Sequence, residues 1–371
     1  MEGRHMMLCK VAVMYGRELA RYGFADAHPF GSDRLDAFWS RFTSTMLSNS
    51  NNSSSSGNIN ANSDININTS RSSNSSSSNN NTPPSNNNSI SNYYNSSIIV
   101  EKPLLIDEQI LLEFHTREYV EFVKRASQFG IGYLDYGDTP AYKGIFEAAC
   151  YVVGTTVRAL DMVLAGRVDH AFNPIGGLHH ARRGSAGGFC VFNDIGVAVM
   201  LARKVYGLKR IAYVDIDAHH GDGVYYEFDD DPLLFIADIH EDGRYLYPGT
   251  GFEYEDGKGE AKGTKLNIPL KPYSTSKEFI DAFRRVERFV EDARPELIIM
   301  QCGADGIEGD PLTHLRYGSD VHYYATSALH RIAHEYCNGR IIALGGGGYN
   351  RRNLANAWVD VVRALLASNQ W

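Results

Sequence analysis

The chain has no apolar run approaching the roughly 18 residues that a membrane-spanning helix needs. No signal-peptide-like apolar region opens it either, so neither a membrane partner nor secretion is expected. It lacks an excess of positive charge: 36 Lys and Arg against 44 Asp and Glu leave a formal charge of −8. That balance gives no footprint for direct nucleic-acid binding. A cysteine framework is missing as well. Cys9, Cys150, Cys190, Cys302 and Cys337 are scattered, odd in number and without a CxxC pair. They read as buried thiols in a reducing, cytoplasmic compartment. What the chain does have is length and apolar content, 371 residues at 43% hydrophobic, enough for one large α/β domain with a sizeable core.

Two segments stand outside that reading. The opening "MEGRHM", residues 1–6, resembles a protease-site and cloning remnant, which leaves 7–371 as the domain. Residues 48–97 are almost entirely Ser and Asn and cannot bury enough apolar surface to offset the entropy of ordering them. They are expected to be a disordered insertion within the domain, between a helix-like "SDRLDAFWSRFTSTML", with Ser32 or Asp33 as N-cap, and a strand-like "SIIVEKP". The rest alternates in the βα manner. Apolar strands at "CKVAVMY", "HAFNPIG", "RIAYVDID", "LLFIADI", "ELIIMQCG" and "RIIALGGG" are separated by helical patterns such as "SKEFIDAFRRVERFVEDA". This pattern predicts a mostly parallel, open sheet with helices on both faces, and sites outside the C-terminal ends of its strands.

Polar clusters fall at those ends. In "YVDIDAHHGDG", Asp215 and Asp217 occupy alternate positions and share a face, and His219 continues the parity. Carboxylates so close together resist burial unless a cation compensates them. Asp217 and His219 supply two ligands for a divalent metal; a catalytic zinc site usually takes a third, for which Asp305 in "QCGADGIEGDP" is the candidate. On their own these aspartates also fit helix caps and solvated loops. The tandem His179 and His180 in "GGLHHARRGS" suit a general acid/base pair, each needing a carboxylate to fix its tautomer; Asp215 and Asp222 are not used by the metal and can serve. The four glycines of "ALGGGGYN" lack the lysine of a phosphate loop. They read instead as a close backbone approach that brings the Tyr349 hydroxyl to the site.

The blocks "GGLHHARRGSAGGFCVFND", "YVDIDAHHGDGV", "PGTG", "QCGADGIEGDP" and "GGGGYN" together resemble the signature of the histone deacetylase superfamily, in particular its prokaryotic class I-like, acetoin-utilisation branch. The resemblance runs in order from "HPFGSDR" to the C-terminus and implies the arginase/deacetylase fold. It implies a zinc-dependent deacetylase, with Fe2+ or another divalent ion as alternatives, acting on an acetylated protein or peptide. Asp217, His219 and Asp305 would be the metal ligands and His179 and His180 the acid/base pair, with Asp215 and Asp222 as their carboxylate partners. Tyr349 would be the oxyanion donor; Gly188, Phe189, Tyr247 and Leu312 would line an acyl-lysine tunnel, and Arg34 an acetate exit. A structural K+ or Na+ would sit beside Asp215, Asp217, His219 and Asp238.

Two departures qualify the likeness. Asp238 stands where the family often has serine, and the loop "ASQFGIGYLDYGDTP" is shorter than in eukaryotic class I enzymes, with no rim aspartate that can be matched. A two-manganese ureohydrolase on the same fold is excluded by Gly221 and by the absence of a second carboxylate two residues after Asp305. Acetylpolyamine deacetylation shares the whole active-site core and is the rival activity. Its ammonium groups would need mouth-side carboxylates, whereas Glu241 and Asp242 are accompanied by Arg244, Arg182 and Arg183, a mixed rim better suited to acetyl-lysine. A non-catalytic metal-binding acetyl-lysine reader would need a broken catalytic residue, and none is broken. Acetoin itself is not the expected substrate, because these groups cleave an amide and not a carbon–carbon bond.

Overall fold

The apolar strands assemble into one all-parallel sheet in the computed structural model, which describes residues 9–25, 27–47 and 97–368. Its strands are β1 (Val11–Met14), β2 (Ile98–Glu101), β3 (His170–Asn173), β4 (Ile211–Asp215), β5 (Leu234–Glu241), β6 (Lys265–Leu270), β7 (Leu297–Gln301) and β8 (Ile341–Leu344). Their order across the sheet is β2-β1-β3-β8-β7-β4-β5-β6. The longer helices are α1 (Asp33–Phe42), α2 (Arg117–Phe129), α3 (Ile145–Leu164), α4 (Asp194–Tyr206), α5 (Ser276–Ala293), α6 (Asp320–Tyr336) and α7 (Arg351–Leu365). Both the cloning-remnant segment 1–6 and the Ser/Asn-rich run, apart from Ser97, lie outside the described residues.

Alternation along each strand divides the core between two faces. Tyr213, Ile299 and Ile342 point to the side covered by α2, α3 and α4. Val214, Ile298, Met300 and Ala343 point to the side covered by α1, α5, α6 and α7. A central strand such as β7, "LIIMQ", is apolar up to its closing Gln301 and buried throughout, as a sheet covered on both faces requires. All five cysteines are buried.

Helix starts follow their capping residues. Asn193 accepts from the N–H of Gly196 at the head of α4, and Asn350 accepts from those of Arg352 and Asn353 at the head of α7. Thr275 and Glu278 form a capping box on α5. Ser32 does occupy the N-cap of α1, but its side chain makes no cap bond. Asp33 instead pairs through both oxygens with Arg351, at 2.7 and 2.8 Å, tying α1 to α7. No strand was expected at β6, which contains Pro269. Proline has no N–H to donate, and β6 accommodates it by being the sheet's edge.

Candidate active site

Four neighbouring central strands, β3, β8, β7 and β4, end on the same side of the sheet, and every polar cluster singled out in the sequence lies on the segment that follows one of them. Past β4 the chain turns so that Asp217 and His219 meet Asp305, which follows β7. One ligand atom from each lies within 4.8 Å of the others, and all three residues are buried. His219 Nδ1 is 3.1 Å from both Asp217 Oδ1 and Asp305 Oδ2. Burial, reinforced by the charge of Asp217, pushes the Asp305 carboxyl up to about 7. Two buried carboxylates converging with one imidazole are the donor set for a divalent cation, whose charge would remove that repulsion. The residues fit such an ion.

Glycines make this convergence possible. A Cβ on Gly303 would lie 2.1 Å from Asp217 Oδ2, and one on Gly347 would lie 2.3 Å from Asp305 Oδ2. The Gly347 N–H donates to Asp217 Oδ2 at 2.8 Å. The glycine run therefore passes its backbone directly over the carboxylates, as a close approach and not as a phosphate loop.

His179 and His180 stand beside the ligand group. His179 Nδ1 meets Asp215 Oδ2 at 2.8 Å, His180 Nδ1 meets Asp222 Oδ1 at 2.8 Å, and the two Nε2 atoms are 3.1 Å apart. Burial opposes charge on His179, but Asp215 and Asp217 outweigh it and bring its pKa up to about 9. Burial and the neighbouring charge on His179 outweigh Asp222 at His180 and hold it near 4. Equal imidazoles are thereby split into a charged and a neutral member, the division expected of an acid/base pair. Asp222 is also held by Arg182 at 2.9 Å, and Asp215 accepts the Tyr213 hydroxyl at 2.5 Å.

Tyr349 follows the glycine run. Its N–H donates to Asp310 Oδ2 at 2.8 Å, and its ring stands edge-on to Phe189 with centroids 5.8 Å apart. Burial, with Asp305 and Asp217 nearby, raises its hydroxyl well above the usual phenol range, so it remains a donor. Gly188 packs so closely that a Cβ there would lie 2.3 Å from His180 Cδ2 and 3.0 Å from Tyr247 Cε1. The Tyr247 ring lies 5.0 Å from that of His180. A cavity of about 440 Å³ opens above His180, lined by Tyr247, Gly187, Asp222, Arg182, Asp135 and Asp138 among others. Leu312 is not in that lining. Its N–H donates to Asp310 Oδ1, which links it to Tyr349 through the same carboxylate. Arg34 is fully buried; its Nε donates to the Gly348 carbonyl at 3.0 Å and its Nη2 to that of Gly346 at 2.5 Å. Its Nη1 has no partner among the described residues.

Asp238 pairs with Asp215 across β4 and β5. Its Oδ1 meets His240 Nδ1 at 2.7 Å and its Oδ2 accepts the Gly221 N–H at 2.9 Å. His240, two residues on and therefore on the same face, brings a counter-charge from within the chain; despite burial, Asp238 holds its pKa up.

The mouth differs from the rim inferred from sequence. Glu241 and Asp242 are buried, not part of the cavity lining, and already paired, with His314 and Arg244 respectively. Arg183 stacks on Phe114, 4.5 Å from the ring centroid. The mouth carboxylates come instead from the 131–140 loop. Asp135 turns inward, accepting from the N–H groups of Gly137, Asp138 and Thr139, while Asp138 lines the opening. Sequence reasoning also passed over two supporting residues. Gln301 donates to Asp217 Oδ2 at 2.8 Å, and buried Asp194 accepts from the N–H groups of Gly177 and Leu178, fixing the loop that carries the tandem histidines. The signal for Gln301 was present: a lone amide closing an otherwise apolar strand.

A family model described as the histone deacetylase domain matches residues 85–365. The chain is 42% identical to the acetoin utilization protein AcuC of Bacillus subtilis (strain 168) over 271 residues, covering 70% of this chain and 69% of that protein. It is 31% identical to AcuC of Staphylococcus aureus (strain MRSA252) over 368 residues, covering 97% and 82% of the two chains. Among solved structures, the crystal structure of the HDA15 HD domain aligns with a TM-score of 0.77 at 24% identity, covering 96% of this chain and 89% of that one, a likeness of fold.

Proposed function

Because the chain belongs to the histone deacetylase family and is a deacetylase of the acetoin-utilisation type, we propose that it removes acetyl groups from acetyl-lysine side chains of proteins, with zinc held by Asp217, His219 and Asp305. One observation carries this reading: two His–Asp pairs with unequal proton affinities stand beside a three-ligand metal group, and one of those pairs, His180 with Asp222, lines the cavity. Bound there, zinc would polarise the acetyl carbonyl and activate water at neutral pH; the same donors also suit Fe2+ or another divalent ion.

His180 is neutral and Asp222 engages its Nδ1; its Nε2 exchanges the 3.1 Å contact with His179 Nε2 for the attacking water, takes that water's proton and returns it to the leaving amine. His179 stays charged against Asp215 and orients its neighbour. The Tyr349 hydroxyl donates to the oxygen on which negative charge develops. Gly188, Phe189 and Tyr247 wall the aliphatic stem, with Leu312 on the Tyr349 side. Arg34, with a buried donor to spare, receives the departing acetate.

Asp138 at the mouth can accept the backbone N–H groups of a peptide, which supports an acetyl-lysine substrate. The same carboxylate can also meet an ammonium group, and that observation keeps acetylpolyamines as the second reading. Metal-replete kcat/KM values at fixed ionic strength for acetyl-lysine peptides, acetylputrescine and acetylspermidine decide between them. Peptides are expected to be preferred. A tenfold or larger preference for either polyamine over every peptide would overturn the substrate assignment.

We also propose that a structural K+ or Na+ beside Asp215, Asp217 and His219 is tuned by Asp238, a charge that His240 already balances in part. Asp238→Ser should then change how activity depends on potassium against sodium. Superimposable salt profiles for the two proteins would count against a cation at that position.

A further inference from the structure

At the opposite end of the sheet from the active site, a thiol and three imidazoles converge. Cys9 precedes β1, His170 opens β3, and His330 and His334 lie one turn apart on α6, the helix that leads into β8. Strand pairing sets Val11 opposite His170, and His170 opposite Ile341. The i, i+4 spacing places both α6 histidines on one face, towards those strand ends. One ligand atom from each of the four residues lies within 4.8 Å of the others.

We propose that Cys9, His170, His330 and His334 form a second metal site, a closed structural site for zinc or a similar divalent ion, with one thiolate and three imidazole ligands. Three of the six contacts have the lengths of the edges of a coordination tetrahedron, and all six lie within 4.8 Å. Cys9 Sγ is 3.5 Å from His330 Nε2 and 3.5 Å from His334 Nε2, and His334 Nε2 is 3.4 Å from His170 Nε2. Tetrahedral zinc, with bonds of about 2.0–2.1 Å to nitrogen and about 2.3 Å to sulfur, implies edges of about 3.3–3.6 Å. The three rings also stand nearly perpendicular to one another, at 83°, 87° and 85°, so they do not stack face to face.

Hydrogen bonding alone serves this arrangement poorly. Each imidazole nitrogen has one in-plane position, occupied by either a hydrogen or a lone pair. His334 Nε2 faces both Cys9 Sγ and His170 Nε2, and that single position cannot satisfy both. A cation at the common centre takes one lone pair from every donor. Burial keeps His170 and His330 neutral, which leaves those lone pairs available. On binding, the Cys9 thiol would exchange its proton for the metal and release it to solvent. The local chain accommodates the cluster: a Cβ on Gly339 would lie 2.6 Å from His334 Cε1, so the turn before β8 leaves room for the inward ring only because it is glycine. With all four positions filled by protein, the site has no opening for substrate and would act by joining β1, β3 and α6.

The inference does not depend on the hydrolytic reading. Its test loads the chelator-stripped full chain with Co2+, counts bound ions and records the absorption spectrum. About two ions per chain are expected, one of them giving a near-ultraviolet sulfur-to-cobalt band. Asp217→Ala should remove one ion and keep the sulfur band, and chelator should lower the Tm of that variant. His334→Gln should remove the other ion together with the band. Should His334→Gln fail to fold, the wild-type spectrum and the Asp217→Ala protein carry the test. A folded wild-type chain that binds cobalt without a sulfur band, or a band that survives in Cys9→Ser, overturns the proposal.

Discussion

Replacing His180 by alanine is expected to lower kcat by about two to four orders of magnitude, the usual contribution of a positioned general acid/base group. His180 is the neutral member of the tandem pair, and its position is fixed from both sides. Asp222 holds Nδ1, and the Gly188 backbone leaves no room for the ring to swing away. Removing the ring leaves the fold's polar accounting nearly intact, because Arg182 still compensates Asp222. The variant should therefore fold and bind its metal, and added imidazole should restore part of the rate by occupying the vacated space. Steady-state kinetics with metal content confirmed provide the check. A folded, metal-loaded variant with wild-type kcat would transfer the proton-moving role elsewhere, His179 being the first place to look.

Tyr349→Phe should cost about two to three orders of magnitude in kcat, the range for losing one oxyanion donor. The effect is expected in kcat with little change in KM, since the donor is needed where charge develops and not where the ground-state carbonyl sits. Phenylalanine preserves the ring, and the contacts that place the residue, its N–H to Asp310 and its edge contact with Phe189, do not involve the hydroxyl. Loss of stability would therefore be a poor explanation for a slow variant. Equal kcat in a folded, metal-loaded protein would remove Tyr349 from the reaction.

Much of this was legible because the relevant signals are local. The continuous apolar runs of β4 and β7 announced a covered parallel sheet, and the spacing in "DIDAHH" placed Asp215, Asp217 and His219 at a strand end. The meeting of those residues with Asp305, and of His180 with Asp222, required the strand order, which no local pattern encodes. The same limit explains the misjudged mouth. Glu241 and Asp242 lie near Tyr247 in sequence, but both side chains are buried and already paired. Asp138 reaches the cavity from a loop more than a hundred residues away from Tyr247 in the chain. Pro269 argues against a strand at β6 unless that strand is at an edge, and only the strand order shows that it is. His240 was readable as a partner for Asp238 from its i+2 spacing alone. The cluster of Cys9 with three histidines was not, since it joins four positions spread over more than 300 residues.

Acetyl-amide hydrolysis is proposed to depend on a divalent ion at Asp217, His219 and Asp305. The direct measurement is acetate released from an acetyl-lysine peptide by three samples of the full chain: chelator-stripped, stripped and reloaded with zinc, and Asp217→Ala treated with zinc in the same way. The prediction is no release above background by the stripped chain, recovery on reloading, and no recovery in the variant. Equal acetate release by the stripped and reloaded chains, or zinc-restored turnover in Asp217→Ala, would contradict it.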